Sequence, residues 1–592
     1  MLDQVVNYAR QHGIDAEPGF SPKATRWAVI CTARGEYLGL VELGDGSRKR
    51  NPGRLFSKAP DLSQPEMKSG GITKSHFLID TANVVAGYGN DGADEKTLEK
   101  QAYFVELLEH ASSAMPALGA IARMLRNEEN LAKLRADLAK QNAMPTDKVT
   151  VQIDGAFPAE SEELREWWRE FRRALHTSRE RKGHRDTKRM ICFLTGETVE
   201  PATTHPKITG LTSVGGSAMG DVLVGFKQDS FCSYGLEQSA NAAMSELGAK
   251  AYQTGLNDLI KNHSVMLSGT KVAHWFRKQV MTDDDPLNWM MEPGESEELN
   301  AQVRARNLLE SIRHGERPDL ANNSYFALTI TSNRGRVMIR DWIEGSFHEL
   351  MANVSDWFSD LEITHREGGR TAKTPKFLAV LAALVRDLKD VPPPIQTKLY
   401  RVAVRGEPMP LEVLAQALAR ARIDAIQGEP PTHARMGLIK AYHARKQRQD
   451  GARMEEQLKP ELNARLKNPA YQCGRLMAVL GRLQTSALGD VGAGVVQRYY
   501  AAASTTPALV FGRLIRGAQF HLNKIASQKR GLAVWYEQQI GEICNQIGTS
   551  MPATLNLEDQ SLFALGYYQQ LAVLRPGKEK NEREGEQDEQ RD

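Results

Sequence analysis

Alternation of apolar and polar residues predicts strands in the first 345 residues. "RWAVICTAR" (26–34) and "EYLGLVEL" (36–43) flank Gly35, which indicates a hairpin. "SYFALTITSNRGRVMIRDW" (324–342) shows the same alternation around an Asn-Arg-Gly turn. Two shorter runs, "KVTVQID" (148–154) and "RMICFLT" (189–195), predict further strands.

Helical periodicity lies between these strands. It predicts two or three helices within 95–142, and a helix from about 241 to 262 whose apolar residues share one face. "SEELREWWREFRRALHT" (161–177) predicts a helix with Ser161 as its N-cap and acids in its first turn. The N-terminal part is therefore expected to be mixed α and β.

After about residue 345 the strand pattern fades and helical patterns dominate. Asn468 followed by Pro469 is a typical helix start. The predicted helices are 345–361, 375–389, 410–424, 433–446, 453–466, 469–486, 491–502, 507–527, 531–547 and 557–572.

The predicted fold class is α+β, with a mixed N-terminal domain containing short β-hairpins and a C-terminal all-α helical bundle. We expect an N-terminal domain over 1–345, a helical connecting region over 346–453, and a C-terminal bundle over 454–575. The charged tail, 576–592, has no apolar anchor and is expected to be disordered.

Composition indicates a globular chain, with 41% hydrophobic and 25% charged residues and a net charge of only +3. None of the five cysteines has the spacing of a zinc site, so we expect free thiols in a reducing cytoplasm. The start of the chain lacks the apolar region of a signal peptide. The apolar run "FLAVLAALV" (377–385) is too short to span a bilayer. These features predict a cytoplasmic protein without a membrane partner.

Motifs of catalysis are weak. "GYGNDG" (87–92) matches a dinucleotide-binding pattern, but its acids stand where a pyrophosphate would dock. "TDDDP" (282–286) offers three adjacent carboxylates, for which a solvated turn or a helix start is favoured over a metal site. His205 before Pro206 is expected to be structural. We therefore predict no catalytic residue, no metal and no cofactor.

Basic residues are concentrated in two segments of this nearly neutral chain. A single basic run is usually a solvated face, but two such runs favour nucleic acid. In the second segment, aromatic residues (Tyr499, Tyr500 and His521) accompany the cations, which suits a phosphate backbone with unpaired bases. The candidate phosphate-binding residues are Arg172, Arg173, Arg179, Arg181, Lys182, Arg185, Lys188 and Arg189 in the first segment, and Arg498, Arg513, Arg516 and Lys524 in the second.

Several stretches resemble a known family, the large subunit of the type I-C CRISPR surveillance complex, Cascade. The resemblance covers nearly the whole chain and has two departures: no aromatic residue near Val84 or Val85, and Ala243 where proline is common. The stretches that carry it are "FLIDTANVVAGYG" (77–89), "CFLTGE" (192–197), "HPKITGL" (205–211), "FCSYGLEQSANAAMSELGAKAYQTGLNDL" (231–259), "AYQCGRLMAVLGRLQ" (470–484), "RYYAAASTTPALVFGRL" (498–514), "HLNKI" (521–525) and "LEDQSLFALGYYQQ" (557–570).

The resemblance implies a subunit that is not an enzyme and lies at the end of the guide RNA that carries the 5′ handle. Such subunits recognise a protospacer-adjacent motif in double-stranded DNA, start strand separation and help to recruit a helicase–nuclease. The implied partners are guide RNA (crRNA), target double-stranded DNA, and the Cascade backbone and small subunits. In this family the gene often also yields the small subunit from an internal start, for which Met454 is favoured over Met477.

The resemblance also implies residues that read the DNA motif. Base edges are recognised by amides, hydroxyls and backbone N–H groups, with cations on the flanking phosphates. The competing interpretations are helix capping by Ser239 or Asn241 and a mobile surface loop over 68–74. The candidates are Lys68, Ser69, Gly70, Gly71, Lys74, Tyr234, Gln238, Ser239 and Asn241.

Two alternatives stay open. The first is a helical scaffold that binds guide RNA without reading a DNA motif. The second is a metal-dependent nuclease that uses the carboxylates of 282–286.

Overall fold

The computed structural model describes residues 1–14, 17–44, 51–67, 73–89, 94–181, 189–226, 228–267, 269–291, 301–451, 458–489 and 491–574. These residues form two compact units. Unit 1 comprises Met1–Thr212, Gly216–Asn262 and Ser332–Val337, and unit 2 comprises the remaining described residues.

Unit 1 is built on a four-stranded sheet in the order β3-β2-β6-β5, and two smaller sheets pair β1 with β4 and β7 with β8. Its elements are α1 (Leu2–Gln11), β1 (Phe20–Thr25), β2 (Trp27–Cys31), β3 (Tyr37–Glu42), β4 (Arg54–Pro60), α2 (Gln64–Met67), β5 (Ile79–Thr81), α3 (Ala82–Ala86), α4 (Glu95–His110), α5 (Ala117–Arg126), α6 (Glu128–Lys140), β6 (Lys148–Ile153), α7 (Glu162–Arg181), β7 (Met190–Ile191), β8 (Thr198–Val199) and α8 (Glu246–Asn262).

The central strands of unit 1 are rich in β-branched and aromatic residues, as expected for strands buried on both faces. β2 and β6 run parallel, with Trp27 opposite Val149, and their neighbours are antiparallel. Helices α3 to α7 supply the rest of this core, which includes the fully buried Trp168.

Unit 2 combines a sheet in the order β12-β11-β10-β9 with a large set of helices. Its elements are β9 (Ser264–Leu267), β10 (Thr270–Phe276), α9 (Pro286–Met291), α10 (Ala301–Arg313), α11 (Pro318–Ala321), β11 (Ser324–Asn333), β12 (Arg336–Ser346), α12 (Phe347–Leu361), α13 (Phe377–Ala382), α14 (Pro393–Arg405), α15 (Leu411–Gln427), α16 (His433–Gln449), α17 (Pro469–Leu488), α18 (Val495–Ala503), α19 (Pro507–Ala526), α20 (Arg530–Ile547) and α21 (Leu557–Leu574). The tip of the β11–β12 hairpin, 332–337, belongs to unit 1.

Helices α17 and α21 approach each other closely at two glycines. A Cβ atom on Gly474 would lie 1.9 Å from the carbonyl oxygen of Phe563, and one on Gly566 would lie 2.1 Å from that of Tyr471. Both positions therefore require glycine. The buried Tyr471 hydroxyl donates to Gln569 Oε1 at 2.6 Å and adds a polar link between the same two helices.

The α+β fold class is confirmed, with sheets in the first 346 residues and helices alone beyond them among the described residues. Both predicted hairpins are present, as β2–β3 and β11–β12. Ser161 caps α7, because its Oγ accepts from the Leu164 backbone N–H at 3.4 Å. The predicted domain boundaries at 345 and 453 stay predictions, and Met454 and 576–592 lie outside the described residues.

Three predicted helices differ from the structure. The helix expected over 375–389 ends at Ala382. The helix expected from 241 begins at Glu246, and Gln238–Ala242 forms a short 3₁₀ turn instead. The helix expected over 453–466 is absent from its described part, 458–466. There Pro460 interrupts the pattern, and the side chains of Gln472 and Arg475 in α17 donate to backbone carbonyls of Ala464 and Leu466.

Candidate nucleic-acid interface

Residues 228–245, named here the exposed segment, contain three consecutive 3₁₀ turns: Asp229–Phe231, Ser233–Gly235 and Gln238–Ala242. The Tyr234 side chain is 100% exposed. Its backbone φ is +56°, and that of Gln238 is +47°. A left-handed conformation at a non-glycine residue costs about 1–2 kcal/mol. The backbone of the exposed segment is therefore strained at Tyr234 and Gln238, and the Tyr234 ring is fully exposed to solvent.

The far end of the exposed segment is anchored in unit 1. The buried Ser239 donates through Oγ to the Thr203 carbonyl at 2.9 Å. His205 bridges the Tyr252 hydroxyl (3.1 Å) and the Ala242 carbonyl (3.2 Å), and burial lowers the pKa of its imidazole. His205 is therefore structural, as predicted.

Gln238 and Asn241 differ from Ser239 in their exposure. The Gln238 side chain is exposed and makes no hydrogen bond to any described residue. Asn241 is half-buried and donates through Nδ2 to the Gln238 carbonyl at 3.1 Å. The expected alternative, capping of α8 by Ser239 or Asn241, is wrong, because Ser245 Oγ accepts from the Gly248 backbone N–H in the first turn of that helix.

Of the motif-reading candidates in 68–74, Lys74 is the one that lies within the described residues. Lys68, Ser69, Gly70 and Gly71 lie outside the described residues. Lys74 is buried, with its Nζ 5.9 Å from the centre of the Tyr103 ring, and its backbone N–H donates to the Met67 carbonyl. This placement gives Lys74 a structural role.

Arg172, the first cation of the basic run, is only 8% exposed. It donates through Nε to Glu66 Oε1 (2.9 Å) and through a terminal nitrogen to Glu246 Oε1 (2.7 Å). Burial lowers the pKa of this guanidinium, but the two carboxylates outweigh burial and raise it overall. Nε and one terminal nitrogen of the buried Arg172 are therefore bonded to protein carboxylates.

The rest of the first basic run is partly described. Arg173 on α7 is exposed, and Arg189 is exposed and donates to the Thr198 carbonyl at 3.3 Å. Arg179 and Arg181 lie on α7, but their side chains are outside the described part of the chain, as are Lys182, Arg185 and Lys188.

The second basic segment forms a continuous stripe on α19. Leu509, Arg513, Arg516, Phe520 and Lys524 recur every three or four residues, so they share one face of the helix. All five are exposed, with Leu509 at 80% and Phe520 at 75%. The stretch 491–536 contains no acidic residue. Within the described chain, Arg513, Arg516, Lys524 and the exposed Arg498 of α18 form no ion pair.

Of the three aromatic residues that the sequence placed beside the cations, Tyr500 is wrong, whereas Tyr499 and His521 are half-buried. Tyr500 is buried and packs edge-on against Phe563 and Tyr567. Phe520 was missed, although its spacing from Arg513 and Arg516 indicates the same helical face. Arg475 is buried and donates to Gln570 at 2.8 Å, so it does not belong to the exposed stripe.

A comparison with known protein families decides the identity of the chain. The family model described as CRISPR-associated protein (Cas_Csd1) matches residues 4–574. The chain belongs to the Csd1 family of CRISPR-associated proteins. This confirms the resemblance to the type I-C Cascade large subunit that the sequence indicated. No curated protein matches the chain.

Family membership makes this Csd1 chain a Cascade subunit. The three adjacent carboxylates of 282–286 are divided among separate contacts. Asp284 pairs with Arg317 at 2.9 Å, whereas the buried Asp285 contacts His274 Nε2 and accepts from the Leu287 backbone N–H. Among the described residues no cluster of three or more His, Cys, Asp or Glu could hold a metal. Thr282–Asp284 forms a 3₁₀ turn directly before α9, so 282–286 is a helix start, one of the two forms expected, in which Asp283 is exposed.

No helix in the described part of the chain is both long enough and apolar enough to cross a bilayer.

Proposed function

We propose that this Csd1 chain is the non-catalytic large subunit of a type I-C Cascade complex in the cytoplasm. It recognises the protospacer-adjacent motif in double-stranded DNA and promotes duplex opening and R-loop formation with the guide RNA. It works with the backbone and small subunits and helps to recruit the helicase–nuclease. It uses no cofactor.

The observation that carries this proposal is the chemistry of the exposed segment. Gln238 offers an amide with no partner among the described residues, Asn241 retains a free amide oxygen, and Tyr234 presents an unpacked ring. Amides recognise base edges, and aromatic rings enter or stack on base steps where a duplex opens. Groups that can recognise base edges and a ring that can stack on bases therefore lie within a few residues of each other.

Cations outside the exposed segment fit the contacts that orient a protein on DNA. Arg173 and Arg189 are exposed in unit 1 and can bind flanking phosphates. In the α19 stripe, three cations alternate with Leu509 and Phe520, which suits the phosphates and bases of an unpaired strand. These features support a role at the junction of duplex and single-stranded DNA.

The proposal is tested with the assembled complex and two duplexes that differ only in the trinucleotide flanking the target. Gln238→Ala or Asn241→Ala is expected to cost about 1–3 kcal/mol on the preferred motif and to leave binding of the other duplex nearly unchanged. Gln427→Ala is the control, since it removes an exposed amide at the end of α15, outside the exposed segment. Equal losses on both duplexes for Gln238→Ala and Asn241→Ala would contradict motif reading.

A helical scaffold that binds guide RNA is the second candidate. The α19 stripe favours it, because phosphates and stacked bases occur in RNA as well as in DNA. Binding of duplex DNA that does not depend on the flanking trinucleotide would favour this second function.

A further inference from the structure

Arg172 joins two parts of unit 1 that carry different kinds of candidate contacts. Arg172 lies on α7, and the residue that follows it on the same helix, Arg173, is exposed. Its guanidinium also bonds to Glu246, the first residue of α8, which directly follows the exposed segment. One buried side chain thus connects a helix with an exposed cation to the end of a segment with exposed amides.

The environment of Arg172 holds this connection in one geometry. Glu66 is almost completely buried and contacts both Nε and a terminal nitrogen of the guanidinium, at 2.9 and 2.8 Å. The absence of a side chain at Gly19 makes room for the Arg172 side chain, since a Cβ atom on Gly19 would lie 2.5 Å from Arg172 Cδ. Arg172 therefore cannot change rotamer without losing buried, charged hydrogen bonds.

The opposite end of α8 is held independently. The Tyr8 hydroxyl donates to Asp258 Oδ2 at 2.7 Å, and a Cβ on Gly255 would lie 2.8 Å from the Val5 carbonyl oxygen. Loss of the Arg172–Glu246 contact would consequently release only the first turn of α8, next to the exposed segment.

Phosphate contacts fix the position of a protein on DNA, and base contacts read the sequence at that position. We propose that Arg172 is a positioning residue that fixes the register between α7, which carries the exposed Arg173, and the exposed segment. This inference rests on the proposed motif-reading function. It assigns to Arg172 a role inside the protein in place of the phosphate contact expected from the sequence.

Glu246→Gln is the decisive variant. It keeps the Glu66–Arg172 pair and the side-chain volume, and the Glu246 side chain is partly exposed, so the fold is expected to persist. Glu163→Gln is the matched control, because Glu163 is an exposed acid in the first turn of α7 and loses the same charge. Both are assembled into the full complex and assayed on duplexes with the preferred and the altered motif, with thermal melting as the check of folding.

We expect Glu246→Gln to lower the ratio of affinity for the preferred motif to affinity for the altered motif by about fivefold or more. A fivefold change is about the smallest discrimination that one good base contact provides. Affinity for the altered motif and the melting temperature are expected to stay near those of the control. A ratio within twofold of the control, or equal loss on both duplexes, would overturn the positioning role alone. A wild-type complex without any motif preference would overturn the proposed function as well.

Discussion

Tyr234 combines a left-handed backbone with a fully exposed aromatic ring. Each is unfavourable in the free protein, since the backbone is strained and the ring buries no surface. Such residues are frequent at functional sites, where the strained conformation holds a side chain ready for a ligand. The ring of Tyr234 is thus a candidate for stacking on a base at the opened end of the duplex.

Tyr234→Ala is expected to weaken target binding by the complex by about 1–3 kcal/mol and to slow R-loop formation, because one base loses its stacking partner. Tyr234→Phe keeps the ring and is expected to behave like the wild type. Affinity and the rate of strand opening are measured on the same duplex. Wild-type values for the alanine variant would exclude a stacking role.

For single residues, the sequence was a better guide to the chemistry of the side chains at the site than to their exposure to solvent. It directed attention to the exposed segment, but it gave Arg172, Lys74 and Ser239 ligand-contacting roles although all three are buried. The partners of Arg172 lie 106 and 74 residues away along the chain. Contacts over such separations leave no local pattern, so burial of a polar residue cannot be inferred from its neighbours.

Among the secondary-structure elements, α19 shows that a helical sequence pattern predicts which residues share a face, but not whether that face is exposed. Its period places Arg513, Arg516 and Phe520 on one face, and the structure adds that this face is uncovered within the described chain. Salt sensitivity and base stacking are properties of such a stripe that can be measured separately.

Replacing Arg513 and Arg516 with Gln is expected to reduce the salt dependence of single-stranded DNA binding by about 0.7 units of slope per lost contact. Phe520→Ala is expected to lower affinity without changing that slope, because stacking involves no counterion release. Lys389→Gln is the control, since this exposed lysine already pairs with Asp387 at 2.8 Å. An unchanged slope for the double arginine variant would remove α19 from the interface. Affinity is measured by titration at several salt concentrations.

The pairing of α17 with α21 bears on the predicted internal translation start. A product beginning at Met477 would lack Asn468, whose side chain caps α17, together with Tyr471 and Gly474. Those residues make the closest contacts with α21, so this shorter product would lose its central helix pair. A start at or near Met454 keeps α17 whole.

We therefore expect a second product, running from about Met454 to Asp592, when the native gene is expressed. Intact mass spectrometry of the complex measures it. Detection of the full-length chain alone would refute the internal start, and a product beginning at Met477 would refute only the choice of site.

Patterns within single elements were sufficient for both hairpins and for most C-terminal helices. The pairing of β1 with β4 was not predicted, since it joins segments separated by a long stretch of chain. The absent helix at 458–466 has the same explanation, because Gln569 of α21 donates to the backbone carbonyls of Lys459 and Pro460 and helps to hold that segment in another conformation. Long-range contacts overrode local propensity in each case.

For the whole molecule, the buried His443 and the half-buried His433 of unit 2 predict an acid-sensitive fold. Burial lowers the pKa of His443 to about 4, and its Nε2 contacts Ser561 Oγ at 2.6 Å. Burial also lowers the pKa of His433 to about 4. Between pH 6.5 and 4 the unfolded chain binds protons at these residues that the folded chain does not. The free energy of unfolding is therefore complete above pH 6.5 and falls as the pH drops towards 4.

His443→Gln is expected to flatten this dependence, since glutamine can donate to Ser561 but does not titrate. The contribution of His443 amounts to at most ~3 kcal/mol across the window. Thermal melting between pH 4 and 7.5 measures it, with the exposed His110→Gln as control. Parallel melting curves for His443→Gln and the wild type would show that another group causes the acid sensitivity.

The glycine contact between α17 and α21 also has a consequence for synthesis of the protein. The two helices begin 88 residues apart, at Pro469 and Leu557. At ~5–20 residues per second, the ribosome needs roughly 4–18 seconds to make the second helix after the first. During that interval the face of α17 that packs on α21 lacks its final partner, and this face of the nascent chain offers a binding site for chaperones.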